Sequence, residues 1–343
     1  MKNEPILFIM KGRKQRRTRW LFVTGLLIIL LCLLCCAMLI LGNTIYPVKK
    51  VIQVLLGEQI QGATFAIQTI RLPRMLAGLF AGFAFGVAGD IFQTMLRNPL
   101  ANPNVIGITT GSSAAAVFCI VILHANGAIV SIASVIAGLV TVLLIYILSR
   151  GKTFSIGRLI LIGIGIQAML NAVISYLLLI GAEQDIPAAL RWLSGSLNGS
   201  QIHELPPLIL AVLILAPIVI LLGKHLSMLE LGEQAATSLG VNTDLTRIVL
   251  VLSSVCMISL ATAVTGPIAF VSFLSGPIAK RIVGVGFSNV IPAGLVGANL
   301  VLGADLIGQF SFGVRYPVGV ITGIIGAPYL VYLLIRMNRR GEL

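Results

Sequence analysis

Polar side chains are scarce in this chain, and those inside its apolar runs are the first candidates for chemistry. Asp90 and Gln93 interrupt one apolar run, and Asp305 interrupts another. A carboxylate in hydrocarbon costs about 2.5–3.5 kcal/mol on insertion scales, so each should face a polar cavity or a donor. Asp90 and Arg97 are two helical turns apart on one face. An ion pair or a water-bridged network is therefore the alternative to a place on a transport path.

The other reactive residue types form no recognisable centre. Cys32, Cys35 and Cys36 lie in an apolar run without a nearby His or carboxylate, which favours packing over metal binding. The three histidines are scattered, and no GxxxxGK[ST] segment for nucleotide phosphates is present. We therefore expect no enzyme activity, metal or cofactor in this chain. Any ATP-driven work must come from another chain.

Composition assigns the chain to the membrane. Of its 343 residues, 57% are hydrophobic and 10% are charged, with a mean hydropathy of +1.03. A bilayer core needs roughly 20 apolar residues per helix, and we predict an all-α polytopic fold with ten transmembrane helices. This divides the chain into a basic segment (1–19), a ten-helix membrane domain (20–336) and a short tail (337–343). The predicted helices are 20–41, 74–96, 105–125, 127–149, 158–180, 205–222, 248–266, 267–283, 290–308 and 317–335.

The eighth predicted helix, 267–283, is short and contains Gly276 and Pro277. A bend, or a re-entrant path inside the protein, is the alternative to a full crossing there.

The distribution of Lys and Arg predicts the orientation. With the amino terminus inside, 18 of the 24 Lys and Arg residues fall in inner segments and 6 in outer ones, which places both termini in the cytoplasm. The net charge of +13 is divided among loops rather than gathered on one face. It therefore favours membrane topology and attraction to anionic lipid over nucleic-acid binding.

The inner loop 223–247 is long and polar, with apolar residues at helical spacing. This pattern predicts two short helices joined at Gly232, which would form an amphipathic platform parallel to the membrane. A dock for a cytoplasmic partner and a cover for the base of the bundle are the two interpretations. The spaced apolar residues are Leu226, Leu229, Ala236 and Leu239.

Residues 97–107, RNPLANPNVIG, separate two apolar runs. Pro99 and Pro103 cannot continue a helix, and they bias Asn98 and Asn102 away from helical backbone. Asparagine side chains can then bind the freed backbone groups. The segment is expected to be the inner turn between the second and third helices, either a tight connector or part of a gate.

A glycine repeat lies just before this turn, in GLFAGFAFG. Gly78, Gly82 and Gly86 are four residues apart on one helix face, which lets another helix approach closely. Ordinary packing in the bundle and an oligomer seam are both compatible with it.

Several ordered motifs together resemble the FecCD-type permease family, the membrane subunits of bacterial ABC importers for iron-siderophores, haem and cobalamin. The likeness runs from about Arg71 to the carboxyl terminus. It is carried by Arg71-Leu-Pro-Arg74, RNPLANPNVIG, Trp192 followed by Ser194-Gly195-Ser196, LGEQAATSLGV, GPIAF at 266–270 and PVGVITGIIGAPYLVYLL at 317–334.

The resemblance implies a multi-pass permease of the cell membrane that pairs with itself or a sister permease. Two cytoplasmic ATPase subunits would drive it, and an extracellular binding protein would deliver an iron-siderophore, with haem or cobalamin as the alternative cargo. Arg71 and Arg74 would dock the binding protein. The ATPase would be coupled through Leu231, Gly232, Glu233, Ala236, Leu239 and Gly240.

The chain departs from the family pattern at three places, which puts the third docking contact in doubt. Gly276-Pro277 stands where many members have Pro-His, Gln309 where some have Arg, and Arg315-Tyr316 in place of a Glu. Arg315 is accordingly a substitute docking residue.

The candidates for the path or its gate are Asp90, Gln93, Asn98, Pro99 and Pro103. An ion-coupled secondary transporter is the other function class, for which Asp90 and Asp305 are the candidate carboxylates.

Overall fold

The computed structural model describes residues 4–125, 127–149, 156–284 and 286–340, and helices dominate this part of the chain. A π-helical turn, Phe65–Arg71, leads into α3, and 3₁₀ turns lie at Pro103–Ile106 and Ile202–Glu204. The helices are α1 (Glu4–Ile40), α2 (Val48–Leu55), α3 (Leu72–Met95), α4 (Ile108–Val121), α5 (Ala128–Ser149), α6 (Ile156–Ile180), α7 (Ile186–Leu193), α8 (Pro206–Leu221), α9 (Gly223–Glu230), α10 (Glu233–Ser238), α11 (Thr243–Thr265), α12 (Val271–Val283), α13 (Val290–Phe310) and α14 (Val318–Arg340).

Seven of the described helices are long and apolar enough to cross a membrane, and the pair α8 and α9, bent by 54°, would make an eighth. They are α1, α3, α5, α6, α11, α13 and α14. Helices α4 and α12 have 14 and 13 residues, or about 20 Å, which is less than the roughly 30 Å hydrocarbon core. Each of the ten predicted apolar segments contains one helix, and ten crossings remain a prediction.

The chain ends differ from the predicted boundaries. Helix α1 begins at Glu4, so the described part of the predicted basic segment is helical and continuous with the first span. Helix α14 continues to Arg340 through the first part of the predicted tail. Residues 1–3 and 341–343 lie outside the described ranges.

Helices α3 and α13 form the centre of the bundle and pack with almost no space between their backbones. A Cβ added at Gly82 would lie 2.7 Å from the Cα of Ala298, and one at Gly86 would overlap the Ala293 carbonyl. The glycine repeat therefore serves packing within the chain. Close approach of two helices is a common source of association in membranes, where the hydrophobic effect contributes little.

The predicted inner and outer segments gather at opposite ends of the bundle. At the inner end, Arg19 of α1 donates to the Ile282 carbonyl at 3.0 Å, and the Arg281 guanidinium lies 5.6 Å from the Tyr332 ring of α14. Arg19 of α1 and Tyr332 of α14 thus lie beside the same end of α12. The outer end includes Asn43, Arg74, Asn198 and Arg315. Which end faces the cytoplasm remains a prediction from charge.

Candidate functional site

The outer end contains a buried charge cluster centred on Arg74 and Asp305. Arg74 Nε and Nη2 donate to the two carboxylate oxygens of Asp305, each at 2.8 Å. The side chains are 11% and 1% exposed. Gln309 Nε2 adds a bond of 2.7 Å to Asp305, and Arg74 Nη1 donates to Asn198 Oδ1 at 3.3 Å. The cluster joins α3, α13 and the loop after α7, so it holds the outer ends of these elements together.

The Arg71 side chain also forms hydrogen bonds within the chain. Its Nη1 donates to the Leu39 and Ile40 carbonyls at 2.8 Å, and its Nη2 donates to the Thr44 carbonyl at 2.6 Å. Its guanidinium lies 4.9 Å from the Tyr46 ring centroid. The last carbonyls of a helix have no partner within it and attract cations. Arg71 therefore caps the carboxyl end of α1.

Arg71 and Arg74 are each only 9% exposed, so neither is a surface charge in this structure. The docking role assigned to them stays a prediction, and it would require them to leave these internal partners. Arg315 is exposed and touches Asn43 through Nη2 and Oδ1. Of the three predicted docking residues, it is the one whose position suits an external contact.

Gln93 and Pro277 form a complementary pair inside the bundle. Pro277 lies within α12 and has no N–H, so the Phe273 carbonyl four residues earlier lacks its helical donor. Gln93 Nε2 donates to this carbonyl at 2.9 Å. A Cβ at position 276 would overlap Gln93 Oε1, so Gly276 makes room for the amide. The pair gives Gln93 a structural reason to be buried.

Asp90 faces the same stretch of α12 from one turn earlier on α3. It is 1% exposed, and Oδ1 has no hydrogen-bond partner among the described atoms. A Cβ at Gly276 would lie 3.5 Å from the Asp90 Cα. No ion pair joins Asp90 and Arg97 within the described ranges. Whether Asp90 lies on a transport path remains a prediction.

The RNPLANPNVIG segment is a double turn stabilised by its own asparagines. Helix α3 ends with Arg97 in the left-handed region at φ 51°, and the Asn98 N–H donates to the Gln93 carbonyl at 3.0 Å, as in a Schellman motif. Asn98 Oδ1 accepts from the Leu100 N–H at 2.8 Å. The segment therefore ends α3 and connects it to α4, as the sequence predicts.

The second half of this segment begins a new helix. Asn102 Oδ1 accepts from the Asn104 N–H at 3.0 Å, at the start of the 3₁₀ turn that opens with Pro103. This is N-capping with proline in the first helical position. These contacts explain the segment as a connector, and a gating role for Asn98, Pro99 and Pro103 stays a prediction.

The predicted inner platform consists of α9 and α10, joined at Gly232. Gly232 has φ 112° and ψ 157°, a conformation that is essentially restricted to glycine. Leu226, Leu229 and Ala236 are buried as the spacing predicts, whereas Leu239 is 58% exposed. Three of the four predicted apolar residues therefore anchor the platform to the bundle.

The outward face of the platform combines apolar and charged groups. Leu231 and Leu239 are 67% and 58% exposed, and Gly240 lies beside Leu239 with φ 84°. Glu233 is 56% exposed and binds Arg247 Nη2 at 2.9 Å. An open depression of about 610 Å³ is lined by Glu233 and its neighbours on α10. This face is available for a partner at the inner end.

The platform is also connected to α12. Lys280 Nζ and Glu230 Oε1 are 3.0 Å apart, linking α9 to the inner turn of α12. Because α12 in turn contacts Gln93 of α3, movement of the platform would reach the middle of the bundle through bonded and packed groups.

Sequence reasoning missed the partners of Arg74 and Gln93. Asn198 and Gln309 were not considered as ligands for a charge, and Pro277 was considered only as a source of bending. A usable signal was present: each buried cation or amide needs a partner, and proline in a helix always frees one carbonyl. The bonded residues lie 231 and 180 positions apart in the sequence, so no local pattern indicates these pairs.

Comparison with known proteins gives consistent relationships. Residues 27–336 match the model of the FecCD transport family. The chain is 35% identical over 328 residues to the ferric enterobactin transport system permease protein FepG of Escherichia coli, covering 94% of this chain and 98% of that one. It is also 35% identical over 341 residues to the achromobactin transport system permease protein CbrC of Dickeya dadantii, covering 98% of each.

A solved structure has the same fold over nearly the whole chain. It is described as an inward-facing conformation of a metal-chelate type ABC transporter. The TM-score is 0.81 at 26% sequence identity, with 92% of this chain and 99% of that chain covered.

Proposed function

This chain belongs to the FecCD transport family, and on that premise we propose that it is the membrane-spanning permease subunit of a bacterial ABC importer for an iron-siderophore. The match of residues 27–336 to the family carries the proposal. Haem or cobalamin remains the alternative cargo. The names of the two permeases described above, which concern ferric enterobactin and achromobactin, favour an iron chelate.

We propose that a separate cytoplasmic ATPase binds the inner platform and drives transport through this contact. Support comes from the exposed Leu231 and Leu239 flanking the ion-paired Glu233. Apolar groups beside a few polar ones are typical of protein interfaces. Through the Lys280–Glu230 bridge, a force applied to α9 would act on α12.

The remaining partners follow from the family. We propose a homodimer, or a heterodimer with a sister permease, with the chelate path between the two subunits. An extracellular binding protein would dock at the outer end, with Arg315 as the exposed member of the predicted docking set. To dock the binding protein, Arg71 and Arg74 would each have to break hydrogen bonds within the chain and form new ones with the partner.

The alternative of an ion-coupled secondary transporter has less support in the described residues. Asp305 binds Arg74 through both oxygens, which leaves Asp90 as the intramembrane carboxylate available for ion coupling within the described ranges. A carboxylate that binds and releases an ion must be free to change partners.

The coupling proposal is tested by reversing the charge of Glu233. Glu233→Arg should leave the permease inserted in the membrane and abolish capture of the ATPase in a pull-down, together with ATP-dependent uptake. Glu58 at the outer end provides a matched control, because it is also exposed and Glu58→Arg makes the same charge change. The control should keep both ATPase capture and uptake.

A charge swap separates docking from local folding. Glu233→Arg combined with Arg247→Glu restores an ion pair across the platform while reversing its outward charge. If the swap recovers ATPase capture, Glu233 acts only through Arg247 and a direct contact is wrong. Retained capture and uptake in Glu233→Arg itself would remove the platform from the mechanism.

A further inference from the structure

A small cavity at the outer end is lined by residues that the proposed transport mechanism has not used. It measures about 170 Å³ and lies between α7, the loop that follows it and the end of α11. The Ser196 N–H donates to the Thr265 carbonyl at 2.7 Å and fixes this loop against α11. The residues that matter for its chemistry are Arg191, Trp192, Asn198, Ser200 and Thr265.

The cavity carries a positive charge that forms no ion pair among the described residues. Arg191 is exposed, and among the described residues no carboxylate lies within ion-pair distance of it. None of the described residues that line the cavity is acidic. Arg74, in contrast, is neutralised by Asp305. Arg191 is therefore a cation that can attract an external anion.

Asn198 supplies an oriented donor beside this cation. Its Oδ1 accepts from Arg74 Nη1 at 3.3 Å, and because a guanidinium can only donate, this contact identifies the oxygen. The Nδ2 amide on the other branch remains available to donate. The hydrogen bond from Arg74 therefore fixes the orientation of the Asn198 side-chain amide.

The hydroxyl groups of the cavity wall have backbone partners. Ser196 Oγ accepts from the Asn198 N–H at 3.1 Å. Ser200 Oγ donates to the Leu197 carbonyl at 3.0 Å, and Thr265 Oγ1 lies 2.9 Å from the Ala261 carbonyl. Trp192 also lines the cavity and is partly exposed, and its side chain packs against the buried cluster that includes Ala116 and Cys119 of α4. Charge-assisted bonds from a planar guanidinium suit carboxylate-like oxygens.

We propose that this cavity is an anion subsite that takes one carboxylate or phenolate arm of an anionic iron chelate at the outer end of the path. The inference rests on the proposed function and adds to it a charge class for the cargo. A volume of 170 Å³ is below the roughly 300–1,000 Å³ of a complete ligand pocket. It therefore fits one arm, and the rest of the chelate would remain outside the cavity.

The chain offers a direct optical test, because it contains two tryptophans, Trp20 and Trp192. Trp20 lies at the inner end, where its Nε1 donates to the Ser288 carbonyl at 3.0 Å. In a Trp20→Phe background, fluorescence reports on Trp192 alone. The full chain in lipid nanodiscs would be titrated with ferric citrate, an anionic probe, and with ferrichrome, a neutral ferric trihydroxamate. N-acetyltryptophanamide corrects for absorption by the iron complexes.

Ferric citrate should quench Trp192 saturably and at about tenfold lower concentration than ferrichrome. Arg191→Gln should raise the apparent Kd for ferric citrate by about tenfold or more, because the anion loses its charged partner. Arg191→Lys keeps the charge but not the planar guanidinium, so its affinity should lie between those of the parent and Arg191→Gln. Lys49→Gln removes an exposed outer cation that does not line the cavity, and it should have no effect.

Three results would overturn the subsite. The first is equal affinity for ferric citrate in the parent and in Arg191→Gln, and the second is the absence of saturable quenching by ferric citrate. The third is an affinity for ferrichrome equal to that for ferric citrate.

An uptake assay with the ATPase and binding protein separates this inference from the proposed function. Loss of ATP-dependent chelate uptake in the parent would refute the proposed function. Normal uptake in the parent, with unchanged ferric citrate binding in Arg191→Gln, would refute the subsite alone.

Discussion

The buried pair of Arg74 and Asp305 makes a quantitative prediction about stability. Asp305→Ala removes the acceptor of two bonds from Arg74 at 2.8 Å and leaves the guanidinium buried. Breaking one side of a buried ion pair costs about 3–5 kcal/mol. Asn198 remains as one acceptor and the Arg74 side chain is 11% exposed, so we expect a loss near the lower limit, about 3 kcal/mol.

The double substitution Arg74→Leu with Asp305→Leu should recover most of this loss. Replacing both charges by apolar groups of similar volume is often neutral or stabilising, since neither ion then has to be desolvated. We expect the double variant to lie within about 1 kcal/mol of the parent. The measurement is the free energy of unfolding in mixed detergent and dodecyl sulfate micelles, followed by circular dichroism.

A loss below about 1 kcal/mol in Asp305→Ala would contradict the ion-pair reasoning, as would a double variant no more stable than the single one. Binding-protein affinity of the double variant then tests the docking role. If Arg74 acts only within the chain, affinity should be retained. If Arg74 docks the partner, affinity should fall although the fold is intact.

Three further predictions concern the middle of the bundle. Gln93→Leu should lower the free energy of unfolding by about 1–3 kcal/mol, because the carbonyl that Pro277 leaves free loses its donor. Adding Pro277→Ala should recover most of this loss. Additive losses in a double-mutant cycle would refute the pairing. Gly89→Val should reduce the yield of folded protein in detergent, because a Cβ there overlaps the Ser272 carbonyl, and normal yield would contradict the packing. In a background without the five native cysteines, Asp90→Cys should react slowly with a water-soluble thiol reagent in the resting permease, since residue 90 is 1% exposed; fast labelling at rest would place it on an open aqueous path.

The features that the sequence predicted well depend on neighbouring residues. The RNPLANPNVIG turn could be predicted because proline and asparagine act on backbone groups within a few positions. The same is true of the two short helices around Gly232, whose break needs a backbone conformation that glycine allows. The seven described helices that could cross a membrane follow from hydropathy alone.

The features that were predicted wrongly or missed depend on residues far away in the chain. The burial of Arg71 and Arg74 was missed because four residues, Arg-Leu-Pro-Arg, do not reveal what packs against them. Their acceptors come from the end of α1 and from α13. Exposure is a property of the assembled bundle, and the local sequence cannot determine it.

Hydropathy and short motifs are local properties, and they were enough to predict a membrane permease of one family. What Asp305 and Gln93 do could be seen only in the folded bundle. Asp305 neutralises Arg74, and Gln93 replaces the N–H that Pro277 lacks. A polar group in hydrocarbon needs a hydrogen-bond or ion-pair partner inside the protein. For Asp305 and Gln93, the packing of α3 against α12 and α13 supplies that partner.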